Sequence, residues 1–307
     1  LARTCGARRE PHSRLHRVPL ASSDSMMRCA VTVCLVPEAR GGPFVLHDGL
    51  EASLRRAAEA GFDGVEIFPG HADDLNGREL RSLLQANDLR MAAMGTGAGW
   101  LRRKLSLTDP DPHIRMCARD FIGAIIDFAG GFGVPAILGS MQGRVPDGVE
   151  REQALAWLKE ALDQLGPRAH ALEVPLLYEP LNRYETNLFN TVEDALAFLP
   201  TLRTRNLRLL LDLFHMNIEE ADIAAAIRRA GTMIGHVHFA DTNRRAVGLG
   251  HLDVGPVARA LEDVGYDGWI SAEVRPLPDA DAAMKATVES FRRHFPPNQI
   301  DPANSGR

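Results

Sequence analysis

Apolar runs and helical periodicities alternate along this chain from residue 29 to residue 294. Short apolar runs predict strands over 30–35, 63–67, 89–94, 134–139, 174–179, 207–212, 234–239 and 268–273. Between them apolar positions recur every three or four residues, as from Leu50 to Ala60, His113 to Ala129 and Gln153 to Ala171. That spacing predicts helices that each lay one face on a core. Glycine-bearing turns lead into several strands: Ala60-Gly61-Phe62-Asp63-Gly64, Gly130-Gly131-Phe132-Gly133 and Val264-Gly265-Tyr266-Asp267-Gly268. A glycine there releases the end of a helix, as an αβ turn requires. Eight strands alternating with eight helices predict a parallel closed sheet, a (β/α)₈ TIM barrel.

The segments that follow strands are longer and more polar than those that precede them. They include residues 96–112 after the third strand, Met141-Gln142-Gly143-Arg144 after the fourth, and Asp241 to Asp253 after the seventh. In a barrel these loops surround the active face.

At 307 residues the chain has room for one barrel and two tails, and it is 45% hydrophobic, enough for a real core. Residues 1–27 are expected to be an N-terminal extension outside the fold, with Met26 or Met27 as the natural start. Residues 28–294 are expected to form the catalytic barrel and 295–307 a loose tail. The extension carries five arginines against Glu10 and Asp24, so removing this +3 segment from the net charge of −5 leaves −8. An acidic body gives no reason to expect nucleic acid, and it suits a cation site with a neutral sugar. Four cysteines (Cys5, Cys29, Cys34, Cys117) show no Cys-x-x-Cys spacing, which favours a reducing, cytoplasmic compartment. Cys29 and Cys34 read as small core residues of the first strand. No apolar run reaches the ~18 residues of a membrane span.

Four potential metal ligands fall at the ends of the last four predicted strands: Glu179, Asp212, His238 and Glu273. Their separations of 33, 26 and 35 residues are each about one strand-helix unit. Side chains at the C-terminal ends of neighbouring barrel strands converge on one pocket. Alone, each residue reads as a rim acid or a satisfied histidine; in register, the four predict one divalent-cation site. Three carboxylates and one imidazole favour Mn²⁺, with Mg²⁺ or Co²⁺ as alternatives, over a structural Zn²⁺. Beside them, Asp212-Leu213-Phe214-His215, Glu179 to Glu185 and His238 to Arg245 bring an imidazole, a carboxylate and a guanidinium. These suit sugar hydroxyls and a developing enediolate oxygen.

Glu-Pro-Leu-Asn-Arg-Tyr-Glu at 179–185, Asp-Leu-Phe-His-Met-Asn at 212–217, and Gly-His-Val-His through Gly-Leu-Gly-His at 235–251 resemble one family closely. It is the ketose 3-epimerase branch of the xylose-isomerase-like barrels, which includes D-tagatose and D-psicose 3-epimerases and the wider sugar-phosphate isomerase/epimerase group. The resemblance spans about residues 28–294. It implies that Glu179, Asp212, His238 and Glu273 bind the metal and that Glu179 and Glu273 are also the acid/base pair. It implies further that His215 and Arg244 hold the substrate oxygen that gains charge, and that Glu185 binds a neighbouring hydroxyl. Asp241 departs from the family pattern, standing where a glutamate is frequent. The implied reaction is C3 epimerisation of a ketose or keto-sugar derivative through a cis-enediolate, with one glutamate removing a proton and the other supplying one to the opposite face. An inosose-type dehydratase and an aldose-ketose or hydroxypyruvate-type isomerase use similar chemistry and remain alternatives. A non-catalytic sugar-binding barrel would not need two carboxylates at the metal. An abasic-site endonuclease needs a trinuclear zinc cluster with many histidine ligands, and the acidic charge and the scarcity of histidines at the other strand ends count against it. The partner expected is a small sugar, with homo-oligomerisation left open.

Weaker signals surround this set. Glu66 and Trp100 read equally as pocket-lining residues or as a rim carboxylate and a loop anchor. His236 is assigned to the barrel-helix interface, Trp269 to packing, His251 to a turn hydrogen bond and Arg144 to a solvated loop.

Overall fold

The chain is described by a computed structural model over residues 27–296. The expected extension and tail lie outside the described residues, apart from Met27, Phe295 and Pro296. Eight parallel strands close into a barrel in chain order. They are β1 (Arg28–Cys34), β2 (Gly64–Phe68), β3 (Arg90–Gly95), β4 (Ala136–Leu138), β5 (Leu176–Tyr178), β6 (Leu207–Asp212), β7 (Ile234–His238) and β8 (Trp269–Ala272). Closure comes from Arg28–Val31 of β1 pairing with Trp269–Ala272 of β8.

The helices among the described residues are α1 (Leu50–Ala60), α2 (Gly77–Ala86), α3 (Ala98–Arg103), α4 (Pro112–Gly130), α5 (Arg151–His170), α6 (Val192–Phe198), α7 (Leu213–Glu219), α8 (Ile223–Ala230), α9 (Val254–Asp263) and α10 (Ala280–His294). Eight of them are the barrel's crossover helices. The other two, α3 and α7, are short additions after β3 and β6, and no periodicity announced them. Local chemistry sets the boundaries. Asn76, Asp111, Thr191, Asp222, Asp253 and Asp279 cap helix starts, each side chain accepting a backbone N–H of the first turn. Gly61 ends α1 in the left-handed region at φ 89°, taking its N–H back to Ala57 and Ala58. No helix among the described residues is long and apolar enough to cross a membrane.

The core has two compartments. Outside the sheet, the helices bury residues such as Leu54, Ile122, Ile125, Leu158, Leu162 and Leu261 against the strands' outer faces. Inside the barrel, Ala93, Ile137, Leu177 and Leu210 from β3, β4, β5 and β6 form a separate apolar layer. Cys29 and Cys34 are buried in β1 as expected, with free thiols. The other half of the interior is polar: Thr32 of β1, Glu66 of β2 and His236 of β7 are each 2% exposed or less.

Strands β4, β5 and β8 are shorter than the apolar runs suggest. Glu179 and Glu273 are therefore the first residues beyond their strands, where the backbone leaves the ladder and the side chain tips into the barrel mouth. Leu210 sits directly below Asp212 on the inward face of β6. Leu210→Ala should cost about 2–5 kcal/mol through lost burial and a residual cavity. Equilibrium chemical denaturation checks this, and a loss below about 1 kcal/mol would show that the inner layer adds little to stability.

Candidate metal centre and substrate pocket

His238 is the hub of the site. Its Nδ1 lies 3.4 Å from Asp212 Oδ2, 3.6 Å from Glu179 Oε1 and 3.8 Å from Glu273 Oε2. The four residues predicted from strand-end spacing thus meet at the mouth of the barrel, contributed by β5 to β8. Each carboxylate is held separately. Asp212 caps α7, its Oδ1 accepting from Phe214 N at 2.8 Å and His215 N at 3.3 Å, which leaves Oδ2 for the site. Glu179 is fixed through its own carbonyl, which accepts from Gln142 Nε2 at 2.8 Å; Gln142 in turn accepts from the buried Tyr178 hydroxyl. Gly139 leaves the space in which Glu179 lies, since a Cβ there would come within 2.5 Å of Glu179 Oε2.

Glu66 completes the hub from behind. Its Oε2 lies 3.1 Å from His238 Nε2 and 3.0 Å from His236 Nε2, and its Oε1 accepts from Thr32 Oγ1 at 3.3 Å. The imidazole is therefore anchored at Nε2 and presents Nδ1 to the three carboxylates, an arrangement that orients a metal-ligating histidine. This decides two sequence readings. Of the two readings of Glu66, the pocket-lining one holds and the rim one does not: it is a buried support at the pocket floor. His236 does not face the helices, because residues two apart on a strand share a face, and it joins His238 inside the barrel. Only the strand-end position of Glu66 was signalled in the chain, since Gly61-Phe62-Asp63-Gly64 mirrors the turn that leads to Glu273.

Burial sets the electrostatics. It raises the Glu179 carboxyl to about 7 against the pull of His238, with Asp212 and Glu273 adding to the rise. Glu273 is raised too, burial again outweighing Arg244 and His238. Burial would likewise raise Asp212, but Arg244, His215 and His238 together hold it well below the usual carboxylate range. Burial opposes a proton on His238, and the surrounding carboxylates, Glu66 first, overcome it, so the imidazole is raised well above its ordinary value. Positive charge is what this pocket lacks, and protons supply it.

These donors fit a divalent ion. Around an octahedral ion with bonds of about 2.1 Å, neighbouring donors lie about 3.0 Å apart and opposite ones about 4.2 Å. The three distances from His238 Nδ1 fall within that interval, and the ligand atoms form two overlapping groups within 4.8 Å, Asp212–His238–Glu273 and Glu179–Asp212–His215. Hard oxygens around a single imidazole match Mn²⁺, Mg²⁺ or Co²⁺ chemistry.

His215 and Arg244 stand over the same centre. His215 Nδ1 accepts from the Asn182 backbone N–H at 3.2 Å, while its Nε2 lies 3.2 Å from Arg244 Nη1, 3.9 Å from Glu179 Oε1 and 3.7 Å from Asp212 Oδ2. Burial, with Arg244 and His238, lowers this imidazole to about 4 despite Asp212, so it is neutral. Arg244 stacks over Phe214 at 4.7 Å, pairs with Glu273, and reaches Asp212 Oδ2 at 3.3 Å. Its backbone lies in the left-handed region at φ 58°, a conformation that costs about 1–3 kcal/mol and clusters at functional sites. Asp241 holds that turn. Its carboxylate accepts from Thr242 N, Gly248 N and Leu252 N at 2.7, 2.9 and 3.0 Å. The family departure at Asp241 is therefore satisfied within its own loop.

A cavity of about 1080 Å³ opens above these groups, lined by Trp100, Glu185, His215 and Arg244 among others. Glu185 is at its mouth, 3.4 Å from Asn182 Nδ2. Trp100 and Arg144 line the cavity, whereas Trp269 packs under the Arg28 guanidinium at 4.6 Å. The backbone N–H of His251 donates to Thr242 Oγ1 at 3.4 Å, in a turn.

Known proteins share this arrangement of elements. A family model described as the xylose isomerase-like TIM barrel matches residues 54–294. A D-psicose 3-epimerase of Agrobacterium fabrum is 27% identical over 243 residues, 78% of this chain and 83% of that one. An L-ribulose 3-epimerase of Mesorhizobium japonicum is 33% identical over 234 residues, 73% and 75% of the two chains. A solved D-allulose 3-epimerase from Methylomonas sp. superposes with a TM-score of 0.73 at 25% identity, covering 88% of this chain and 98% of that one. The chain belongs to the xylose isomerase-like TIM barrel family.

Two measurements test the centre. Glu66→Gln should weaken Mn²⁺ binding about 10- to 100-fold while the circular dichroism spectrum is kept. Unchanged affinity would remove Glu66 from its supporting role. Because Glu179 and His238 are raised, both hold protons near neutral pH before an ion binds. Mn²⁺ binding should therefore release protons near pH 7 and weaken as pH falls from about 8 to about 6. Calorimetry in buffers of different ionisation enthalpy reads this directly; no proton release would contradict the assigned charge states.

Proposed function

We propose, on the premise of that family membership, that this chain is a divalent-metal-dependent epimerase that inverts C3 of a ketose or keto-sugar derivative. The observation that carries the reading is the placement of Glu179 and Glu273. They flank the His238–Asp212 pair from the two ends of a four-strand arc, β5 and β8, and both are raised above ordinary carboxylates. A pair so placed can take a proton from one face of a carbon and return one to the other. The relatives named as D-psicose and L-ribulose 3-epimerases support the same reaction class for this chain.

Glu179, Asp212, His238 and Glu273 would hold the ion, Mn²⁺ by preference. When bound, it supplies Lewis acidity toward a substrate carbonyl oxygen. The remaining work belongs to the chain. His215 presents its Nε2 edge and Arg244 its guanidinium toward the centre, so negative charge developing on a substrate oxygen would meet the guanidinium donors beside the imidazole. Glu179, buried beside the centre, would be the carboxylate that accepts a proton from carbon. Arg244 pairs with Glu273 before substrate arrives; turning the guanidinium to the substrate would free that carboxyl for transfer. Glu185 would take a hydroxyl farther along the sugar.

Incubating ketoses with the Mn²⁺-loaded protein in D₂O tests the assignment. Deuterium at C3 with inverted configuration is expected. Label at C1 or C2 would make the enzyme an aldose-ketose isomerase, and loss of water a dehydratase. Glu179→Gln and Glu273→Gln should each lower turnover about a thousandfold in folded protein, and near-normal epimerisation by either would end the two-glutamate scheme.

A further inference from the structure

The mouth of the cavity carries positive charge that a neutral sugar does not need. Arg40, Arg144, Arg245 and Arg275 all line it. Among the described residues, none of these four guanidinium groups has an ion-pair or hydrogen-bond partner. Arg40 follows β1, Arg245 follows β7 and Arg275 follows β8, three strands that adjoin in the closed sheet. The last two loops are joined by Arg275 N donating to Arg244 O at 2.8 Å, which sets Arg275 beside the Arg244–Arg245 turn. Arg144 comes from across the mouth, after β4.

Composition does not account for this cluster, because the chain is acidic, at −5 overall. Nor do the acids of the cavity neutralise it. Asp212 and Glu273 are engaged by His238 and Arg244, Glu179 by His238, and Glu66 by His236 and His238, while Glu185 at the mouth faces Asn182 Nδ2 at 3.4 Å. Glu38, on the rim beside Arg40, pairs instead with Arg102 at 3.2 Å. A bound divalent ion would add two more positive charges at the floor. Guanidinium forks match the oxygens of phosphate and carboxylate groups. The loops after strands 7 and 8 are also where (β/α)₈ barrels frequently bind phosphate. At about 1080 Å³, the cavity exceeds the ~300–1,000 Å³ common for small-molecule sites, leaving room beyond a monosaccharide ring or chain.

We propose that the substrate carries an anionic group, a phosphate ester or a carboxylate, at the end remote from the reacting carbon, and that Arg245, Arg275 and Arg40 hold it. This rests on the epimerase reading of the same cavity and adds the substrate's chemical class to it. Arg144 faces the group from the opposite side. The reacting carbons then lie over the β5–β8 arc while the anion lies toward β7, β8 and β1.

Binding of unreactive polyols separates this inference from catalysis. Calorimetry on the Mn²⁺-loaded protein would compare ribitol, ribitol 5-phosphate and D-ribonate. At least one anion should bind about tenfold or more tightly than ribitol, and the anion that does so distinguishes phosphate from carboxylate. In an Arg245→Ala/Arg275→Ala variant the advantage should shrink to about twofold or less. Ribitol affinity should be unchanged there, which also reports an intact fold. Ribitol binding as tightly as both anions would overturn the proposal, and so would an anion advantage that survives in the variant, since that advantage would then come from the metal. Epimerisation of neutral ketoses without any anion preference would sink this inference and leave the epimerase standing. An anion preference that the variant abolishes, with no ketose epimerised, would do the reverse.

Discussion

Three carboxylates facing one imidazole, all taken out of water at the mouth of a barrel, form the constraint around which the site is arranged. Burying like charges together is expensive, and a protein that does so must hold protons, cations or both at the same place. Each is visible here. Glu179 and Glu273 are raised by burial, His238 is raised by the acids around it, and Arg244 lies against Asp212 and Glu273. Only Asp212 of the three stays firmly ionised, because Arg244, His215 and His238 outweigh the burial that would raise it. A divalent ion answers the same need with one charge centre.

The barrel is built asymmetrically to meet this demand. From β3 to β6 its lower interior is apolar, with Ala93, Ile137, Leu177 and Leu210 packed together. Across from them the inward positions are Thr32, Glu66 and His236, joined by hydrogen bonds that end on His238. The apolar half gives Glu179 and Asp212 a dry, rigid base. The polar half fixes the tautomer and direction of the one imidazole. Rigidity matters because a metal-ligating group displaced by about half an ångström loses much of its function.

Much of this was legible in the chain because a parallel barrel converts sequence spacing into spatial adjacency. Once the alternation of strand and helix was read, Glu179, Asp212, His238 and Glu273 had to meet, and helix α1 was bounded correctly at Leu50 and Ala60 by its glycine cap. Other features were not legible. The short helices α3 and α7 follow strands directly and carry too few turns for a periodicity. The supporting role of Glu66 is made across 172 residues of sequence, from β2 to β7, and no local pattern reports such a contact. The misplacement of His236 had a simpler origin: the two-residue period of a strand puts it with His238. For Asp241, sequence alone could note only a shorter acid; the structure shows a carboxylate consumed by the N–H groups of its own loop.

Arg244 ties the parts together. Its strained backbone is held by Asp241, its guanidinium sits on the carboxyl of Glu273, and its carbonyl seats Arg275 at the cavity mouth. The residue therefore touches the loop after β7, the buried carboxylates of the centre and the arginine cluster at once. A guanidinium neutralising Glu273 before substrate binds would leave that carboxyl poorly placed to exchange a proton. Any ligand that draws Arg244 toward its own oxygens would uncover the carboxyl at the moment it is needed. In the proposed reaction, recognition of the substrate and release of the second glutamate would be one movement, made by a side chain whose backbone the fold holds in the left-handed region.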